Sequence, residues 1–165
     1  MRDVSRNNMK SETKNIENDK VQVKRILIPI DGSEYSLKAA KYAVRIAKDE
    51  NAQLFCIHCI VGIPYGYINP ASSTDQYYED IKDKVESWFD EVRHIGKVEG
   101  VTELNTECFM DPHSVINSIL DYAVSREIDL IVIGTKGRTG LKRFLMGSVA
   151  NGVVQHAHCP VLLVR

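Results

Sequence analysis

Asp129-Leu-Ile-Val-Ile-Gly134-Thr-Lys-Gly137-Arg-Thr-Gly140, with Gly147-Ser148 after it, is the stretch that decides the fold. Its first half is apolar almost throughout, the texture of a strand buried on both faces of a parallel sheet. Its second half is glycine-rich and basic. Gly147 to His156 then reads as a short helix, and Pro160-Val-Leu-Leu-Val-Arg165 as a closing strand.

The same alternation extends upstream. Arg25-Ile-Leu-Ile-Pro-Ile-Asp31 is a first strand, ending near Pro29 because proline cannot donate to a ladder. Asp31-Gly32-Ser33 turns the chain, and Ser33 is placed to cap a helix reaching about Glu50 with Leu37, Ala40, Val44 and Ala47 on one face. Ala52 to Val61 is the second strand, and Gly62 to Ser72 a long loop. Ser73-Thr-Asp-Gln76 has capping-box spacing before a helix whose stripe is Tyr78, Ile81, Val85, Phe89, Val92 and Ile95. Val101 to Phe109 is a more polar third strand, expected near an edge. Asp111-Pro112 is expected to supply the cap and first residue of a helix burying Val115, Ile116, Ile119, Leu120 and Ala123. Five strands alternating with four helices predict an α/β fold, an open five-stranded parallel sheet with helices on both faces. The strongly apolar first, fourth and fifth strands fit central positions, while the fifth, Val161 to Val164, being last, also fits an exposed edge that invites pairing.

Residues 1–22 contain few apolar side chains and read as a flexible tail, leaving residues 23–165 as one domain. The 21 basic and 22 acidic residues nearly cancel, which excludes a uniformly basic nucleic-acid binder. No apolar run reaches the roughly 18 residues of a membrane span, and Met1 to Lys20 has no signal-type apolar core. A cytoplasmic protein without membrane or nucleic-acid partners is the expectation. Cys56, Cys59, Cys108 and Cys159 lie in or beside apolar runs, which suits buried thiols.

The near-zero net charge hides an asymmetry. Residues 130–165 carry Lys136, Arg138, Lys142, Arg143 and Arg165 with no acid, so residues 1–129 hold the opposite excess. Ligands of open parallel sheets bind beyond the carboxyl ends of the strands. There the fourth strand offers glycines that permit close anion approach and positive φ, plus a helix start at Gly147-Ser148 with free N–H groups. The Ser148 hydroxyl and the surrounding cations add to a phosphate site. Neither G-x-x-x-x-G-K-[ST] nor a G-x-G-x-x-G after the first strand is present, which disfavours a P-loop hydrolase and NAD binding.

Other clusters read as structural. Cys56-Ile-His-Cys59 has metal spacing, but residues three apart on a strand point to opposite faces. His156 and His158 straddle a helix end, where a histidine suits the dipole. Trp88 reads as partly buried packing. No nucleophile and base stand at a diagnostic spacing.

Gly134-x2-Gly137-x9-Gly147-Ser148 resembles the ATP-binding motif of the universal stress protein family. Ile26-Leu-Ile-Pro-Ile-Asp31-Gly-Ser33, Asp129-Leu-Ile-Val-Ile-Gly134 and Cys159-Pro-Val-Leu-Leu-Val164 resemble its strands. The resemblance implies a Rossmann-like, nucleotide-binding fold in a homodimer joined through the C-terminal strand. It implies an adenine nucleotide, with Pro29 and Asp31 on the adenosine side, Cys59 offering its backbone to adenine, and Ile133 and Gly134 along adenine and ribose. Gly137, Gly147, Ser148 and Val149 would hold phosphates, with Arg138 among the surrounding cations. Magnesium would accompany the phosphates, near Asp31.

Two positions depart from the family pattern: Ala150 replaces a frequent hydroxyl residue, and Met110 replaces a frequent glycine, either packing on the sheet or narrowing the cleft. The expected function is an ATP-binding stress-response regulator with little or no hydrolysis, acting on a protein partner. The alternatives are a slow ATPase or phosphoryl- or adenylyl-transferring enzyme, and an interaction module that holds no nucleotide.

Overall fold

The computed structural model describes residues 22–61, 74–111, 114–138 and 146–165, with the backbone alone at 74–77. The predicted tail up to residue 21, the loop at 62–72, Ser73, Pro112, Gly140, Lys142 and Arg143 lie outside those residues.

The elements are β1 (Arg25–Pro29), α1 (Glu34–Glu50), β2 (Gln53–Val61), α2 (Thr74–Glu99), β3 (Leu104–Asp111), α3 (Val115–Ser125), β4 (Leu130–Gly134), α4 (Ser148–His156) and β5 (Val161–Val164). All pairings are parallel, in the order β3-β2-β1-β4-β5. The arrangement is the expected Rossmann-like α/β fold.

The alternation of side chains along each strand splits the core in two. Ile26, Ile28, Leu54, Cys56 and Val132 pack against α1 and α2, meeting Val44, Val85, Phe89 and Val92. Leu27, Phe55, Ile57, Ile131 and Ile133 pack on the other side, against Ile119, Ala123, Ala150 and Val153 of α3 and α4. Each buried Ile, Leu or Val contributes about 1.5–3 kcal/mol relative to exposure. Among the described residues no helix is long and apolar enough to cross a membrane.

Several expectations are corrected. β5 is apolar but lies at the sheet edge, with Val161, Leu162 and Leu163 only half-buried. The helix after β3 is capped by Ser114, whose Oγ accepts from Asn117 N at 3.2 Å, and not by Asp111. Asp111 instead closes β3, because the parallel ladder continues to the Val61–Asp111 pair. Its Oδ2 accepts a hydrogen bond from Ser118 Oγ. Met110 is 56% exposed.

Candidate functional site

β1 and β4 are neighbours at the centre of the sheet. The chain leaves β1 toward β2 and leaves β4 toward β5, so their carboxyl ends part and open a crevice. A cavity of about 370 Å³ occupies it, within the range of small-molecule sites.

All the sequence-predicted site residues line this cavity. Pro29 and Asp31 come from the end of β1, Cys59 from β2, and Ile133 and Gly134 from β4. Gly137 and Arg138 come from the following loop, and Gly147, Ser148 and Val149 from the start of α4. Lys136, one of the cations expected around the loop, lines it too, as do Ser36, His58, Thr135 and the α3 residues Val115 and Ile119, which sequence reasoning missed. For Val115 and Ile119 the signal was present, since their helical stripe had to face the sheet. For His58 none was present, because alternation alone turns it away from Cys59.

The β1 turn is a hydrogen-bonded knot. Asp31 Oδ1 accepts from Ser33 N at 3.0 Å and from Ser33 Oγ at 2.6 Å. Ser33 Oγ in turn accepts from Ser36 N at 3.2 Å, capping α1. Asp31 Oδ2 accepts from Arg138 N at 3.1 Å, tying this turn to the loop after β4. Three of roughly four acceptor positions on the carboxylate are therefore used. One acceptor position is left over, and among the described residues no group of three His, Cys, Asp or Glu side chains is placed to hold a metal.

The motif glycines differ in what surrounds them. A Cβ on Gly134 would lie 2.7–2.9 Å from backbone atoms of Tyr35 and Ser36, so α1 packs directly on that glycine. A Cβ on Gly137 would lie 2.8 Å from Asp31 Oδ2. At Gly147 the nearest atoms would be 3.5–3.7 Å away, which is ordinary contact, and its φ is −63°. Positive φ, expected of the loop glycines, occurs among the described glycines only at Gly32 and Gly100. Gly32 (φ 73°) also faces the Trp88 indole, which a Cβ would meet at 2.1 Å. Trp88 thus packs, as expected, but against the turn that carries Asp31.

Gly147 is the N-cap of α4 and brings no capping side chain. Its own N–H donates to Thr135 O at 2.8 Å. The first-turn N–H groups of a helix have no intrahelical acceptor, and Ser148, Val149 and Ala150 line the cavity. Open N–H groups and the positive dipole end there suit an anion.

The opposite end of the cavity is more apolar, walled by Pro29, Ile57, Cys59, Ile119 and Ile133. Cys59 Sγ donates to Ser118 Oγ at 3.5 Å. Cys56 lies on the other side of the sheet, in the α1–α2 core, so the two sulfurs diverge. Burial pushes the Cys56 thiol up, away from reactivity. His58 Nδ1 lies 2.6 Å from Ile30 O, and the ring meets Trp88 edge-to-face at 5.3 Å. Burial holds His58 below its ordinary pKa, so it is neutral at pH 7 and its Nδ1–H donates to Ile30 O. The other histidine cluster is local: His156 Nδ1 sits 2.9 Å from Gly152 O within α4.

The model of the universal stress protein family matches residues 22–165. A universal stress protein of Methanocaldococcus jannaschii is 37% identical over 150 residues, covering 91% of this chain and 86% of that one. Among solved structures, a universal stress protein from Lactobacillus plantarum is 28% identical with a TM-score of 0.73, covering 87% of this chain and 99% of that one. A universal stress protein solved in complex with cAMP, at 22% identity and a TM-score of 0.64, shares the fold over 87% of this chain and 98% of its own. The five-stranded sheet, the glycine-lined crevice and these matches agree: the chain belongs to the universal stress protein family.

Proposed function

We propose that this chain binds ATP, or another adenine nucleotide, as a cytoplasmic stress-response regulator with little or no hydrolysis. The observation that carries the reading is the uncapped start of α4, whose first-turn residues line the same cavity as an apolar slot. The slot suits a flat base and the helix start suits phosphates, and Asp31 and Gly134 line the same cavity. The cAMP complex of a family member supports an adenine ligand. Magnesium would travel on the phosphates, since Asp31 is committed to the β1 turn and the loop after β4.

The regulator would be a homodimer. β5 is a short apolar strand at the end of the described sheet, and an edge of that kind suits pairing with a second chain. Nucleotide binding would change a surface read by a protein partner. Light scattering at micromolar concentration is expected to give twice the chain mass, and a monomer mass contradicts the dimer.

The test of the site is calorimetric titration with ATP and magnesium against Gly147→Val. A Cβ there stands at ordinary contact distance from the chain and Gly147 lines the cavity, so the bulkier side chain is expected to crowd the site. Binding is expected to vanish in the variant, and equal affinity in variant and parent sinks the site.

A further inference from the structure

The two described cations of the loop after β4 are not paired with acids. Among the described residues neither Lys136 nor Arg138 has a carboxylate within ion-pair distance. Each rests on an aromatic ring instead. Lys136 Nζ lies 5.8 Å from the centroid of Tyr35, in the first turn of α1. The Arg138 guanidinium lies 5.8 Å from the centroid of Trp88, on α2. Neither ring lines the cavity, yet both cations do. Between them stands Gly137, held against Asp31. Lys38 shows the contrast: it shares the Tyr35 ring but is neutralised by Glu34 at 2.7 Å.

The geometry points to a two-cation clamp in which Tyr35 and Trp88 are positioning residues. They hold Lys136 and Arg138 on separate helices at the cavity mouth until a chain of phosphates draws both off the rings. Cation–ring contacts at half-exposed sites are weak, whereas cation–phosphate hydrogen bonds are charge-assisted, so the exchange runs toward the phosphate. The cations rest on different helices, so a single phosphate leaves at least one in place. The ligand class is therefore a nucleoside carrying two or more phosphates, in preference to a monophosphate or a cyclic nucleotide. This rests on reading the cavity as a nucleotide site, and adds which nucleotides it favours and what moves when they bind.

Trp88 is the only tryptophan in the chain, so emission of the intact protein reports the Arg138 contact. ATP, ADP, AMP, cAMP and adenosine are titrated with calorimetry and fluorescence on the same samples. ATP and ADP are expected to bind about tenfold or more tightly than AMP and cAMP, the worth of one charge-assisted contact. ATP is expected to shift Trp88 emission and adenosine to leave it unchanged. Arg138→Ala is expected to abolish the ATP-induced shift and to narrow the gap between ATP and AMP. Heat from ATP without an emission change overturns the clamp alone. So does an equal emission change with adenosine, or equal affinity for AMP and ATP. No heat with any of the five overturns both the nucleotide reading and the clamp.

Discussion

Gly134, Gly137 and Gly147 belong to one motif in sequence but answer to different physics. The first two are small because the chain fills the space: the backbone of Tyr35 and Ser36 at Gly134, the Asp31 carboxylate at Gly137. At Gly147 a Cβ would meet its neighbours only at ordinary contact distance, and the residue lines the cavity. A glycine motif read as a ligand signature is therefore partly a packing signature. Mutations can separate the two parts.

The largest effect is expected at Gly134→Ala. The added Cβ meets the Tyr35–Ser36 peptide, which is backbone and cannot swing away, so the loss should be about 2–3 kcal/mol, at the upper end of overpacking costs. For a chain of this length that is roughly 5–10 °C in a thermal melt. A variant melting within a degree of the parent breaks the comparison on its packing side.

Gly137→Ala should cost less. Asp31 can turn aside, giving up its bond to Arg138 N, which is worth about 1 kcal/mol. Denaturant titration measures it, and a loss as large as at Gly134 would show that the Asp31 knot is stiffer than its hydrogen bonds.

The wall behind Asp31 adds a pH dependence. His58 takes its proton at a lower pH when folded than its ordinary value of 6.5, chiefly through burial. Between those two values the unfolded chain binds more protons, so stability rises with pH there. It falls as pH drops from about 6.5 through the folded value, then levels off. Melts between pH 7.5 and 5 should show that decline, and His58→Gln should flatten it. An unchanged slope in the variant would exclude His58 as its source.

The smallest effect on stability is expected at Gly147→Ser. Serine is a better N-cap than glycine by a few tenths of a kcal/mol, and the site has room for its Cβ. The same hydroxyl would occupy N–H groups that a phosphate needs, so binding should suffer while the fold does not.

Much of this was legible because period and punctuation agree. Ser33 caps the first helix as expected, β1 stops at Pro29, and the motif residues converge because a parallel sheet gathers strand ends. What escaped depends on partners distant in sequence. Asp111 looks like a cap next to Pro112, but pairing with Val61 keeps it in a strand. β5 is as apolar as a central strand, and only topology puts it at the edge. Trp88 sits 56 positions beyond Gly32, and no local pattern announces that its indole replaces a Cβ there. The motif spacing likewise cannot say which glycine serves the fold and which serves the ligand.

The most direct test is a pair of thermal melts of the parent and of Gly147→Ser, each with and without ATP and magnesium. At a ligand concentration about 100 times Kd the parent should gain about 2.7 kcal/mol. The account predicts that gain for the parent, an unliganded variant as stable as the parent, and no ATP-induced rise in the variant. A variant stabilised by ATP as much as the parent would contradict the claim that the open start of α4 is the phosphate site.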